Sequence, residues 1–148
     1  MAGVAKYFEG HVYNKFNEQI DFNNPKYKGK IIGLYFSAYW CSPCCGFTPT
    51  LTDFYKTYGK EKNFEVIFLS SDHDEQSFDD YYKKMPWLKY DYKERKKKER
   101  LAKKFKVTGI PALVLVDGDS GDVICSDAID QIHDEDREGK YFPWKKDK

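Results

Sequence analysis

Cys41 and Cys44 stand two residues apart in the run Trp40-Cys41-Ser42-Pro43-Cys44. Two thiols at that spacing can close into a small disulfide and reopen. The apolar run Ile31-Ile32-Gly33-Leu34-Tyr35-Phe36 before them reads as a strand. Phe47, Leu51, Phe54, Tyr55 and Tyr58 after them read as the buried face of a helix. The pair therefore falls where a strand hands over to a helix N-terminus. There the helix dipole and its free amides favour a thiolate on the first sulfur, Cys41. Thiolate is the reactive form, and Cys44 is held where it can attack a mixed disulfide on Cys41. That is the minimum apparatus for thiol–disulfide exchange.

A Cys-x-x-Cys pair is also half of a zinc site, which wants four ligands. The other cysteines are Cys45 and Cys125, and the histidines are His11, His73 and His133. None has a ligand-like spacing, so the metal expectation is none. No flavin or nicotinamide motif is visible either, so no cofactor is expected and hydride chemistry lies in a partner. Between an apolar strand and a helix, the pair reads as a thioredoxin-like redox motif.

The 148 residues fit one domain, residues 1–148, with a proper core. With 25 basic and 24 acidic side chains the net charge is +1, which gives no global drive toward nucleic acid or acidic membranes. No stretch approaches the ~20 apolar residues of a membrane span. The opening residues Met1 to Tyr7 lack a basic segment followed by an apolar one, so no secretion signal is expected. The expectation is a cytoplasmic monomer, where a Cys-x-x-Cys pair is catalytic or sensing and not a staple. The 18% aromatic content is read as core, because the rings are not interleaved with basic residues on one sheet face.

Along the chain, residues 1–25 read as polar and irregular, with short strand character near Val12 to Ile20. Pro49 is expected to kink the helix after the cysteines, and Gly59 to end it. Phe64 to Leu69 is a second strand, giving a parallel βαβ unit with a right-handed crossover. Ser70-Ser71-Asp72 offers caps for a helix whose apolar face is Phe78, Tyr81, Tyr82 and Met85, stopped by Met85-Pro86-Trp87. Residues 89–106 hold ten Lys/Arg against three acids and read as a surface helix with Glu94–Lys98 and Glu99–Lys103 pairs. Ile110-Pro111 and a hairpin of strands 112–116 and 122–125 follow. Residues from 127 form an acidic tail ending in Tyr141-Phe142-Pro143-Trp144.

Trp40-Cys41-Ser42-Pro43-Cys44-Cys45-Gly46-Phe47-Thr48-Pro49 resembles the active-site run of the tryparedoxin and nucleoredoxin branch of the thioredoxin superfamily, usually W-C-P-P-C-R-G-F-T-P. Phe36-Ser37-Ala38, Val66 to Asp72, Met85-Pro86-Trp87-Leu88, Gly109 to Leu113 and Phe142-Pro143-Trp144 fit the same branch. The resemblance covers about residues 28–144. It implies an α/β thioredoxin fold, a central mixed β-sheet flanked by helices, with an irregular N-terminal extension. It implies a thiol–disulfide oxidoreductase that reduces protein disulfides, peroxiredoxin-type peroxidases among them. By position Cys41 is the attacking thiol and Cys44 the resolving one, within an active-site loop of Trp40, Ser42 and Pro43. Pro111 is the cis-proline facing the pair, and Ile110 offers backbone hydrogen bonds to a bound substrate chain. An external thiol or reductase (glutathione, trypanothione or a flavin reductase) then regenerates the dithiol.

Three departures qualify the resemblance. Ser42 replaces the usual first proline, and Cys45 replaces an arginine, removing a cation beside the active site. Residues 117–138 hold nine acids and one arginine, so the basic residues of trypanothione-using members are missing. Tyr35 stands where thioredoxin proper has a buried acid. Cys45 is expected to be a shielded helix residue, with a regulatory thiol as the alternative. Cys125 is expected to be a small buried residue. Asp72, His73 and Asp74 are read as helix capping and not as a metal site. Arg95-Lys96-Lys97-Lys98 is read as a solvated face, with nuclear import as the alternative. A rival to the enzyme is a redox-dependent binding module that docks a signalling partner with little turnover.

Overall fold

The structure is a computed structural model that describes residues 3–145. In chain order the elements are α1 (Gly3–Phe8), β1 (Val12–Tyr13), β2 (Ile31–Ser37), α2 (Ser42–Tyr58), β3 (Phe64–Ser70), α3 (Glu75–Tyr82), β4 (Leu88–Tyr90), α4 (Arg95–Lys104), β5 (Ala112–Asp117), β6 (Val123–Cys125) and α5 (Ala128–Asp130). A single-turn 3₁₀ segment, Pro25–Tyr27, precedes β2, and a π-type turn, Gln131–Glu135, follows α5. The sheet order is β1-β4-β3-β2-β5-β6. β2 pairs parallel with β3 and antiparallel with β5, so the sheet is mixed and the fold is the thioredoxin fold.

β2 is central because it is apolar on both faces, as a strand covered on two sides must be. Its alternation sends Ile32, Leu34 and Phe36 to one face and Tyr35 to the other. The first face packs with Val4 and Phe8 of α1 and Leu101 and Phe105 beside α4. The second packs with Phe47, Leu51 and Phe54 of α2 and Phe78, Tyr81 and Tyr82 of α3.

Several local expectations are corrected. The opening segment is not irregular: α1 buries Val4 and Phe8, each 1% exposed, and Val12 of β1 pairs with Tyr90. A six-residue helix carries too little periodicity to be read from sequence; it forms because the sheet offers it an apolar face. α2 runs through Pro49 as one helix, and Pro49 has no amide to bond the Cys45 carbonyl. The cap of α3 is Asp74, whose side chain accepts from the Ser77 amide at 2.7 Å, and not Ser70, Ser71 or Asp72. β4 lies within what reads as the approach to a basic helix. In α4 the expected Glu94–Lys98 and Glu99–Lys103 pairs are replaced by Glu94–Lys97 at 3.4 Å and Lys98–Glu99 at 3.2 Å. Lys98 is turned inward instead and is 6% exposed. The acidic tail folds back on α2: Phe142 and Trp144 pack their rings against Phe54, and the Trp144 indole N–H donates to Asp136 at 2.8 Å.

Candidate active site

Ser37 ends β2, Ala38 to Trp40 turn the chain, and Cys41 is the N-cap of α2 with extended backbone (φ −94°, ψ 111°). Pro43 sits in the first turn of α2, where its fixed φ is already suited to the helix. Cys44 is thereby carried one turn inside the helix. The difference in environment follows: Cys41 is 7% exposed and Cys44 is fully buried. All four cysteines are thiols. Burial, then a hydrogen bond with Cys41, push the Cys44 thiol up to about 12; hydrogen bonds to Ser37 and to the Ala38 backbone act the other way. At neutral pH Cys44 holds its proton.

Ile110–Pro111 is cis, and it brings the Ile110 carbonyl oxygen to 3.9 Å from Cys41 Sγ. Cys41 and Ile110 thus meet although they lie 69 residues apart in sequence. Trp40 is 56% exposed, its indole N–H donates to the Ser71 carbonyl at 3.0 Å, and its ring stacks on His73 at 5.3 Å. Ser42 is exposed in the first helical turn.

Beneath the pair lies a chain of hydroxyls that sequence reasoning missed. Ser37 Oγ, Tyr81 OH, Thr48 Oγ1 and Tyr35 OH are linked by successive 2.7 Å hydrogen bonds. The Thr48 hydroxyl also reaches the Cys44 carbonyl at 3.0 Å. All four residues are buried, and burial holds both tyrosines well above their ordinary range. These groups come from β2, α2 and α3, and Tyr81 reads from sequence only as an apolar helix position. The chain keeps each of its own hydroxyls partnered beneath Cys44.

The loop after β3 is the second missed feature. Asp72, 4% exposed, accepts from the Tyr39 amide and from the Ser70 hydroxyl, each at 2.7 Å. It is therefore a clamp on the loop that presents Trp40 and Cys41, and not a helix cap. α4 holds the loop after β3: Arg95 donates to the Ser70 carbonyl at 2.8 Å and Lys98 to the Ser71 hydroxyl at 2.6 Å. Among the described residues no group of three or more His, Cys, Asp or Glu could hold a metal ion.

Cys45 is half-buried, and its thiol donates to the Tyr39 carbonyl at 3.2 Å. Burial pushes it up, and the neighbouring Cys41 and Asp72 add to the shift. It lines a groove of about 410 Å³ with Tyr39, Thr48 and Tyr81. Cys125 is buried, and its thiol donates to an Asp127 carboxylate oxygen at 3.0 Å.

Comparison with known proteins bears on the same geometry. The family model described as thioredoxin-like matches residues 29–123. The chain belongs to the thioredoxin-like family. Tryparedoxin of Trypanosoma brucei brucei is 42% identical over 97% of this chain and 99% of its own length. Human nucleoredoxin is 37% identical over 79% of this chain, which spans only 27% of that longer protein. Among solved structures, tryparedoxin II complexed with glutathionylspermidine superposes with a TM-score of 0.91 at 41% identity, covering 98% of this chain and 100% of that one. The chain is a tryparedoxin- and nucleoredoxin-like member of the thioredoxin-fold oxidoreductases. No described helix is long and apolar enough to cross a membrane.

Proposed function

We propose that this thioredoxin-like protein is a cytoplasmic reductase of protein disulfides that works through Cys41 and Cys44. The observation that carries the reading is the placement of the two sulfurs. Cys41 caps α2 beside the Ile110 carbonyl and keeps 7% of its surface exposed, while Cys44 one turn further on is fully buried. Cys41, as thiolate, attacks one sulfur of a target disulfide. That S–S bond breaks, and the other target sulfur leaves as thiolate and takes a proton from solvent. Ile110 and Pro111 line the approach, where a substrate backbone amide can donate to the Ile110 carbonyl. The Cys44 thiol then gives up its proton and attacks Cys41 Sγ. A Cys41–Cys44 bond forms and the second target sulfur is released as a thiol. The target has gained two electrons and two protons, and the dithiol has lost them.

Two thiols of an external donor return the pair to its reduced form. A low-molecular-weight thiol of the glutathione type fits this role, since a structural neighbour is complexed with glutathionylspermidine. Peroxiredoxin-type peroxidases are targets of this chemistry. The burial of Cys44 makes loss of its thiol proton the demanding part of releasing the mixed disulfide. The test is insulin reduction with dithiothreitol as terminal donor. Many turnovers per molecule are expected. Stoichiometric reduction without recycling would replace the enzyme by a redox-dependent binding module.

A further inference from the structure

Nine cations lie from Lys93 to Lys106, and seven of them fall into two sets. The inward set is engaged. Lys97 pairs with Glu9 at 2.8 Å, Lys98 meets Ser71, and Arg95 meets Ser70 and lies over the Tyr92 ring at 3.8 Å. The outward set is exposed: Lys93, Lys96, Arg100 and Lys103. Lys96, Arg100 and Lys103, four and three residues apart, form one stripe along α4, and Lys93 lies just before its start. Among the described residues none of these four forms an ion pair within 4 Å. Lys96, Arg100 and Lys103, with Arg95 and Glu99, border a shallow groove of about 350 Å³. Like charges at such spacings carry a cost in helix stability. The fold does not recover that cost internally: the nine acids of residues 117–138 make no ion pair with α4 among the described residues. The net charge of +1 therefore conceals a strongly polarised surface.

The stripe is tied to the redox centre at both ends. Near its start, Arg95 and Lys98 support the loop whose Ser71 carbonyl receives the Trp40 indole. From its end the chain runs through Lys106 and Gly109 directly into Ile110–Pro111. α4 is thereby joined, through the Ser70–Ser71 loop and through the chain to Ile110, to both segments that touch the Trp40–Cys41 turn.

We propose that the exposed face of α4 is a docking surface for an acidic protein, and that it directs the dithiol toward disulfides flanked by carboxylates. This rests on the reductase reading above. Charge complementarity names the partner as anionic. A protein fits better than a nucleic acid because the stripe offers no exposed ring for base stacking and carries Glu99, which opposes a continuous phosphate backbone.

The test compares three disulfide-bridged peptides of one length with Glu-rich, neutral or Lys-rich flanks, reduced with dithiothreitol as donor. It is run well below and well above about 0.1 M salt, where the screening length is ~10 Å. At low salt the acidic peptide should exceed the neutral one in kcat/KM by about tenfold, within the range of electrostatic steering. The ratio should approach one at high salt. In the Lys96→Glu, Arg100→Glu, Lys103→Glu triple variant the low-salt order should invert. An acidic-to-neutral ratio that the triple variant leaves unchanged overturns the proposal. Docking is also read without turnover, from fluorescence anisotropy of the acidic peptide with its cysteines replaced by serine. Salt-sensitive binding that the triple variant loses supports the surface even if no peptide is reduced, an outcome that sinks the reductase reading alone. Equal binding to both proteins, or tighter binding of a DNA duplex than of the acidic peptide, overturns it.

Discussion

Cys41 and Cys44 are the same residue type three positions apart, and burial makes them different reagents. Cys41 is 7% exposed, while Cys44 is fully enclosed with its thiol pushed up to about 12. Iodoacetamide at neutral pH should therefore label Cys41 and leave Cys44 unlabelled in the folded, reduced protein, as peptide mapping by mass spectrometry will show. Labelling of Cys44 at a comparable rate would contradict the enclosed geometry. The same shift has a sign in stability. A thiol raised in the folded state stabilises fully below the unfolded value near 8.5, and that contribution is lost as pH rises toward 12. Cys44→Ala should thus flatten part of the loss of denaturant stability across that alkaline window. In turnover, Cys41→Ser should abolish disulfide reduction. Cys44→Ser should accumulate a mixed disulfide with the target, visible on non-reducing gels; full turnover by Cys44→Ser would remove the resolving assignment.

At the scale of elements, the active-site loop between β2 and α2 is held by its neighbours as well as by its own turn. Asp72, in the loop after β3, takes the Tyr39 amide and the Ser70 hydroxyl, and Lys98 and Arg95 hold Ser71 and Ser70 of that supporting loop. Removing the carboxylate leaves a buried backbone donor without its partner, which costs about 1–3 kcal/mol. For a chain of this size each kcal/mol lowers Tm by about 2–4 °C. Asp72→Ala should show that drop in thermal denaturation and should lower the rate of protein-disulfide reduction. Asp72→Asn, which can still accept from the Tyr39 amide, should recover most of the stability. An Asp72→Ala protein with unchanged Tm would mean that the loop is held elsewhere.

At the scale of the molecule, the sheet is covered on both faces, and the N-terminal segment supplies part of one cover. Phe8 is 1% exposed and packs its ring against Phe22 and Tyr90. Truncating a core phenylalanine to alanine costs about 3–5 kcal/mol. Phe8→Ala should show a loss of that order in urea unfolding. A loss below about 1 kcal/mol, the usual size for a surface change, would make α1 an appendage.

The sequence by itself determined the redox pair, the strand-to-helix turn that carries it, the βαβ unit and the C-terminal hairpin. Those features are local: a period of two or 3.6 residues, a proline or a pair of thiols can be read within one window. It also determined the family resemblance, through motifs spread from Phe36 to Trp144. Tertiary structure decided which contacts the separate windows make. Ser37 and Tyr81 are 44 residues apart, and only the packing of α3 against β2 turns a helix aromatic into a hydrogen-bond partner beneath Cys44. Asp72 sits where a cap was expected, yet its carboxylate turns inward to Tyr39 because Asp74 already satisfies the amides of α3. Lys98 reads as one more surface cation and is buried because Ser71 lies opposite it. Side-chain direction on an element follows from what packs against it, and that information is spread over the whole chain.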